Sequence, residues 1–176
     1  DNTEWKNDID KITKAGIQGI KLHPMYQNFT IDDKKFYEMY EYLEYSNIFI
    51  LFHSGFDIAY PKDERALPKR ISNIKAKFKN LKIIAAHFGG WQIWEDVLEF
   101  LCGKDIYFDT SFANEIESDI LKNIISKHST DRIVFGSDSP WQNQKEQVNF
   151  ILNLKISDEN KEKIFYKNLI NLLNIN

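Results

Sequence analysis

Four short apolar runs in this chain each end in a polar residue that can bind a metal ion. The four residues are His23 in GIKLHP, His53 in IFILFHSG, His87 in KIIAAHFGG and Asp138 in RIVFGSDSP. Such runs are typical of buried strands in a parallel sheet, whose carboxyl ends meet at one edge. Enzymes built on parallel sheets keep their catalytic groups at that edge. The pattern therefore predicts an α/β fold and locates a candidate active site.

Helical and strand patterns alternate along the whole chain, without a linker or a low-complexity segment. Amphipathic helices are predicted between the strands, the first capped by Thr3 and ending at Gly16. Strand and helix recur near the ~30 residues of a βαβ unit, which predicts a parallel sheet with right-handed crossovers. We expect residues 1–176 to form a single domain. The predicted strands are Ile17–Leu22, Ile48–His53, Lys82–Ala86, Ile106–Asp109 and Ile133–Gly136.

Composition and charge exclude several classes of function. The formal net charge of −3 provides no basic surface for a phosphate backbone, so no nucleic acid partner is expected. No apolar run approaches the ~18–20 residues that cross a bilayer, and the amino terminus lacks a signal-peptide core, so no membrane association is expected. The single cysteine, Cys102, is compatible with a cytoplasmic location. A small-molecule substrate is the expected partner, and a homo-oligomer is compatible with the sequence.

Strand alternation predicts how the polar residues face one another. His53 shares a face with Leu51, and His87 is predicted to share one with Ala85. Asp138 follows the last strand and reaches the same edge. On neighbouring strands the two imidazoles would lie within reach of a common ion or water.

Imidazole and carboxylate groups suit a divalent metal ion, and we expect zinc, with manganese as the other candidate. Such an ion lowers the pKa of a bound water from about 15.7 toward ~7. The prediction is that His53 and Asp138 ligate the ion. Asp138 would also accept the proton of the attacking water, while His87 steadies that water or polarises a carbonyl.

The chain resembles the amidohydrolase superfamily, specifically the amidohydrolase-2 branch that includes aminocarboxymuconate-semialdehyde decarboxylase. The motifs that carry this resemblance are GIKLHP, LFHSG, AAHFGG, YFDTS, RIVFGSDSPW and IFYKNLINLL. The resemblance implies a (β/α)8 barrel in which His53 ends the fifth strand as a metal ligand. It implies that His87 ends the sixth strand and orients the water, and that Asp138 ends the eighth. Lys21 and His23 match the fourth strand, where substrate-binding or structural roles occur.

One departure from the family pattern is large. The first strand of the family carries a His-x-His pair of metal ligands, and no such pair occurs in this sequence. The chain has 176 residues and lacks an initiating methionine, whereas a (β/α)8 barrel typically has ~250 residues. We therefore expect residues 1–176 to be the carboxy-terminal part of a barrel, with strands four to eight.

Several of these residues also have structural interpretations. His53 could be a core histidine, and His87 could form a hydrogen bond within a turn. Asp138 could cap a turn, and the role of His23 could be limited to the conformation of its loop. Lys21 on an inward face needs a partner, and Asp109 is the predicted one. Trp141 could touch substrate. His128 is predicted to be a favourable cation at a helix carboxyl end.

The favoured function is hydrolysis of a small amide, ester or lactone by metal-activated water. The alternative within the family is non-oxidative decarboxylation of an aromatic or muconate-like acid, for which Arg65 or Arg70 would hold the carboxylate. A third alternative is that the 176 residues alone are catalytically incomplete, because they lack the His-x-His pair.

Overall fold

A five-stranded parallel sheet forms the centre of the protein in a computed structural model that describes residues 4–175. Its strands follow one another in the order β1-β2-β3-β4-β5, so each strand pairs with its neighbour in sequence. The prediction of a parallel α/β sheet is confirmed. The strands are β1 (Gly19–Leu22), β2 (Phe49–Phe52), β3 (Ile83–Ala85), β4 (Tyr107–Asp109) and β5 (Ile133–Val134).

The helices between the strands form where apolar residues recur at helical spacing. Short 3-10 turns precede several of them, including Lys34–Phe36 before the second helix. A π-helical turn, Lys163–Lys167, interrupts the last helical segment. The α-helices are α1 (Glu4–Lys14), α2 (Tyr37–Ser46), α3 (Pro68–Lys77), α4 (Trp94–Phe100), α5 (Ser118–Lys127), α6 (Gln144–Asn153), α7 (Asp158–Glu162) and α8 (Asn168–Leu173).

Polar caps define several helix ends. The Asn143 side chain accepts hydrogen bonds from the amides of Lys145 and Glu146 and begins α6. Asn47 ends α2 in the left-handed conformation, with φ of 58°. The cap predicted at Thr3 lies outside the described residues.

The two faces of the sheet bury different sets of side chains. One face packs under the helices in a large apolar core to which Ile50, Phe52 and Phe108 contribute. The other face, which we call the inner face, carries a smaller cluster around Ile84 and Val134. Since Lys21 pairs in register with Leu51, and Leu51 with Ile84, the inner face also carries the lysine.

Helix α8 covers part of the inner face. Its Leu172 packs in the cluster with Ile84 and Val134, and its Leu172 carbonyl accepts a hydrogen bond from Lys82 Nζ at 3.0 Å. Lys82 immediately precedes β3, so this helix lies toward the amino-terminal end of the strands. The carboxyl ends of the strands remain accessible for a site. Among residues 4–175, no helix has the length and apolar character needed to cross a membrane.

His128 differs from its prediction as a charged helix-end residue. The structure buries its side chain, which is 2% exposed, and its ring stacks on Phe108 with centroids 4.0 Å apart. Burial, followed by the positive charge of Arg132, lowers the pKa of His128 from 6.5 to about 4. Residue His128 is therefore a neutral core histidine at neutral pH, because the loss of hydration outweighs the helix dipole.

This burial makes the stability of the protein sensitive to acid. Since the folded-state pKa of His128 is about 4 and its ordinary value is 6.5, the unfolded state binds the extra proton first as pH falls. We expect a loss of up to about 3 kcal/mol from this residue between those pH values. The substitution His128→Phe keeps an aromatic ring against Phe108 and removes the titrating imidazole. As pH falls, the free energy of unfolding of this variant should therefore decrease less steeply than that of the wild type. Urea unfolding at pH 7.5 and 4.5 measures the free energy of unfolding of both proteins. An equal decrease in the wild type and in His128→Phe would contradict the prediction.

Candidate active site

A cleft of about 350 Å³ opens at the carboxyl ends of the strands. All four residues predicted from the strand ends line it, which brings together groups from β1, β2, β3 and β5. Aromatic rings form much of its remaining wall. The lining residues are Lys21, His23, Tyr26, His53, Asp57, Ile58, His87, Trp91, Phe112, Asp138 and Trp141.

Three potential metal ligands converge on one side of the cleft. One ligand atom each of His23, His53 and Asp57 lies within 4.8 Å of the other two. His23 Nε2 is 3.4 Å and His53 Nε2 is 4.0 Å from Asp57 Oδ2, and the two imidazole rings stack with centroids 4.0 Å apart. The stack arises because His23 and His53 directly follow the paired residues Leu22 and Phe52. We call these three residues the ligand cluster.

A hydrogen-bonded chain leads from the ligand cluster into the protein. His53 Nδ1 lies 2.9 Å from His87 Nε2, and His87 Nδ1 lies 2.9 Å from Ser111 Oγ. The Ser111 hydroxyl in turn contacts Asp109 Oδ1 at 2.5 Å. His87, Ser111 and Asp109 therefore hold the His53 ring from behind.

The route by which His87 reaches the cleft differs from the prediction. Ala85 lies on the helix-covered face with the large core, so simple alternation would direct His87 away from the site. The strand ends at Ala85, and His87 and Phe88 adopt left-handed conformations with φ of 60° and 52°. The backbone amide of His87 donates to Asp109 Oδ1 at 2.9 Å, and this bond stabilises the turn. The predicted shared face with Ala85 is wrong, because a turn redirects the side chain.

The histidines of the cleft are poised to bind a metal in their neutral form. Burial, followed by the nearby His23, lowers the pKa of His53 from 6.5 to about 4. Burial, followed by His53, lowers the pKa of His87 well below its ordinary value. Burial also lowers the pKa of His23. Neutral imidazole is the form that ligates metals. Because these rings are already neutral at neutral pH, metal binding does not require them to release a proton.

Lys21 carries the positive charge of the cleft. The predicted ion pair with Asp109 is not among the salt bridges of residues 4–175, and Asp109 Oδ1 accepts hydrogen bonds from the His87 amide and the Ser111 hydroxyl. Burial lowers the pKa of Lys21, opposed by the charges of Asp109 and Asp138. Its side chain reaches solvent through the open cleft. The ammonium is thus available to an anionic ligand.

Asp138 and Trp141 line the cleft from the loop after β5. Asp138 is exposed and has φ of 50°, and Trp141 is 78% exposed. The backbone passes close to β4 here, since a Cβ added to Gly136 would lie 3.1 Å from the Asp109 Cβ. The Asp138 carboxylate borders the cleft without belonging to the ligand cluster.

The arginines considered for carboxylate binding are engaged elsewhere. Arg65 donates to Asn28 and pairs with Asp63, while Arg70 pairs with Asp32 at 2.7 Å. Neither arginine lines the cleft. Lys21 is the cation that lines the cleft among the described residues.

Sequence reasoning missed Asp57 and the Ser111 link. Asp57 lies four residues after His53 in HSGFD, a spacing that a search for nearby carboxylates would have found. Ser111 occurs in the motif YFDTS, but nothing in the motif indicates its contact with His87. These contacts depend on loop conformation, which strand periodicity does not describe.

The ligand cluster fits a divalent metal ion. Two imidazoles and a carboxylate form a donor set typical of zinc, iron and manganese sites. Within the described residues, His23 Nδ1 is also buried without a hydrogen-bond partner. The other ring nitrogen, His23 Nε2, is the one that faces Asp57 Oδ2 at 3.4 Å.

Comparison with known proteins identifies the class to which this site belongs. The family model described as amidohydrolase, of the amidohydrolase-2 type, matches residues 6–175. The chain therefore belongs to the amidohydrolase-2 family, as its motifs indicated. No curated protein matches the sequence.

Solved structures share the fold. An uncharacterised TIM-barrel protein of Bordetella bronchiseptica has 22% identity and a TM-score of 0.78, over 96% of this chain and 61% of its own. A 5-carboxyvanillate decarboxylase of Sphingomonas paucimobilis has 15% identity and a TM-score of 0.73, over 97% and 62%. A dihydroxybenzoic acid decarboxylase of a Polaromonas species, solved with manganese, has 18% identity and a TM-score of 0.62, over 84% and 56%. The sheet is thus part of a TIM-barrel fold, and the chain spans less than two thirds of these structures.

Proposed function

We propose that the cleft serves a metal-dependent enzyme that decarboxylates a small aromatic or unsaturated acid. The observation that carries this proposal is the position of Lys21, a cation without an ion-pair partner among the described residues, in a cleft walled by aromatic rings. The ring centroids of Trp91 and Phe112 lie 5.8 Å apart, and Tyr26 and Trp141 also line the cleft. A flat apolar body with a carboxylate matches this combination of surfaces. The decarboxylases among the structures of similar fold support the same choice.

In this proposal each part of the cleft has a distinct task. His53, with His23 and Asp57, holds a divalent ion, either zinc or manganese, and Asp138 borders the bound substrate. The ion, when bound, supplies Lewis-acid polarisation of substrate oxygens. Lys21 binds the substrate carboxylate. Asp138, whose side chain lines the cleft, relays a proton from water to the substrate carbon as the carboxylate leaves as CO₂.

Hydrolysis of an amide, ester or lactone is the second candidate. It is favoured by the neutral pair of His53 and His87, whose Nδ1 and Nε2 atoms lie 2.9 Å apart. The hydrogen-bonded chain from His87 to Asp109 can hold these rings so that they orient an attacking water. In that reaction Asp138 accepts a proton from water instead of donating one to carbon. The sequence favoured this candidate, whereas the cation and the aromatic walls of the cleft favour decarboxylation.

A substrate screen separates these functions. The protein is loaded with Mn²⁺ or Zn²⁺, its metal content is measured by elemental analysis, and hydroxybenzoates, unsaturated diacids, amides and lactones are supplied. Release of CO₂ with loss of the acid supports decarboxylation, and turnover of the neutral substrates alone would support hydrolysis. Stoichiometric metal without any turnover would indicate that these 176 residues are catalytically incomplete.

Binding of aromatic carboxylates should depend on Lys21. We expect Lys21→Met to weaken the binding of benzoate analogues about 10–100-fold, because a hydrogen bond to a charged group is worth about 1.5–3 kcal/mol. Inhibitor binding measured by calorimetry gives this value without requiring turnover. Lys79→Met is the matched control, since Lys79 lies in a separate depression beside Asn171 and Leu172. Equal affinities for the two variants would contradict a carboxylate subsite at Lys21.

A further inference from the structure

In the hydrogen-bonded chain behind the ligand cluster, the side chains supply fewer hydrogens than the number of contacts requires. Four contacts run in series from the Phe56 carbonyl through His53, His87 and Ser111 to Asp109. Each contact needs one hydrogen between its two heavy atoms. Two neutral imidazoles and one hydroxyl supply three. With Asp109 ionised, one contact must therefore lack a hydrogen.

The surroundings of Asp109 indicate which end lacks it. Asp109 Oδ1 faces the backbone amides of His87 and Ser111 at 2.9 and 3.0 Å, and the Ser111 hydroxyl at 2.5 Å. Burial raises the pKa of Asp109, but an oxygen that already receives two N–H donors is a poor place for a proton of its own. The Ser111 hydroxyl accordingly donates to Asp109, and His87 donates to Ser111 through Nδ1. His87 Nε2 is then bare and accepts from His53 Nδ1.

When the three contacts from Asp109 to His53 each keep a hydrogen, the contact left without one is that between His53 Nε2 and the Phe56 carbonyl, at the other end of the chain. This nitrogen lies 2.9 Å from the Phe56 carbonyl oxygen and 4.0 Å from Asp57 Oδ2. Without a hydrogen on Nε2, this nitrogen, the Phe56 carbonyl oxygen and Asp57 Oδ2 are three electron-pair donors close to one another. A cation is the partner that such a group of atoms can bind.

We infer that Ser111 and Asp109 are positioning residues that fix the His53 tautomer. Acting through His87, they place the hydrogen on His53 Nδ1 and leave the Nε2 lone pair directed toward the ligand cluster. A carboxylate behind a metal-binding histidine commonly sets the ring in this way, and here the carboxylate acts through two intervening side chains. The inference rests on the proposed metal centre, and it extends the metal site from β2 across β3 to β4.

The tautomer can be measured in the protein without metal. Nitrogen-15 NMR of histidine-labelled protein near pH 7 distinguishes a protonated ring nitrogen from a bare one. We expect His53 to show a protonated Nδ1 and a bare Nε2, and His87 to show the same pattern. A protonated Nε2 on His53 would reverse the direction of the chain and overturn the inference.

Variants at Ser111 test whether the chain causes this tautomer. Ser111→Ala removes the link between His87 and Asp109, so His53 should shift its hydrogen to Nε2 and donate to Phe56. We expect Mn²⁺ affinity to fall about 10–100-fold, as is typical for loss of an outer partner of a ligand. Ser111→Thr keeps a hydroxyl and should preserve the wild-type tautomer and affinity. Thermal unfolding identifies any variant that has lost its fold, and the wild-type spectrum still decides the inference in that case.

A buried serine outside the chain provides the matched control. Ser54 donates to the Gly89 carbonyl at 2.5 Å and is as buried as Ser111, so Ser54→Ala should leave the His53 tautomer unchanged. Equal effects of Ser54→Ala and Ser111→Ala would overturn the inference. The two proposals fail separately: absence of Mn²⁺ binding with the expected tautomer contradicts only the metal centre. Metal binding with a protonated His53 Nε2 in the free protein contradicts only the positioning role.

Discussion

His53→Ala is expected to lower the affinity of the protein for Mn²⁺ or Zn²⁺ by more than about 100-fold. This exceeds the 10–100-fold typical of an outer partner, because His53 is itself a member of the ligand cluster. The loss should be large since His23 and Asp57 alone offer one imidazole and one carboxylate, too few groups for a tight site. Isothermal titration calorimetry with each metal measures the change.

The control for this prediction is another buried histidine. His128→Phe removes an imidazole that stacks on Phe108 away from the cleft, so its metal affinity should equal that of the wild type. If His53→Ala bound metal as tightly as the wild type, the ligand cluster would not be the metal site. A measurement of metal content after dialysis gives the same comparison by an independent method.

Asp138→Asn is expected to reduce turnover about 10²–10⁴-fold, the usual contribution of a general acid or base. The substitution removes the titrating oxygen and keeps nearly the same shape. Asparagine also tolerates the left-handed backbone found at this position, where φ is 50°. Because the side chain is exposed, the free energy of unfolding should change little. A steady-state assay on the substrate found by screening measures the effect.

An exposed aspartate outside the cleft is the control. Asp119→Asn changes a residue in the first turn of α5 and should leave turnover unchanged. Wild-type turnover in Asp138→Asn would exclude Asp138 from proton transfer. A loss of metal affinity in the same variant would instead identify Asp138 as an additional ligand, as the sequence predicted.

Periodicity was sufficient to predict the sheet and the edge that carries the site. Each strand reads as a short apolar run, and the residue that follows it necessarily lies at the carboxyl edge. The positions of His23 and His53 on one cleft follow from that rule, whereas Asp138 comes from the loop after β5. Their individual roles in metal binding and catalysis remain predictions.

The contacts that periodicity could not predict depend on loops and burial. His87 reaches the cleft through a left-handed turn, a conformation that a run of strand residues does not encode. Asp57 joins the ligand cluster because the loop after β2 folds back over the strand end. His128 is neutral because it is buried against Phe108, and only the packed structure reveals that burial.

The strand order also has a consequence for how the protein folds. Among the described strands, each pairs with its neighbours in the chain, so the contacts within the sheet close loops of similar, moderate length. Closure of short loops loses less chain entropy than long-range pairing, which favours rapid assembly. During translation each new βα unit can dock on the one synthesised before it, and the ribosome need not deliver a distant segment first.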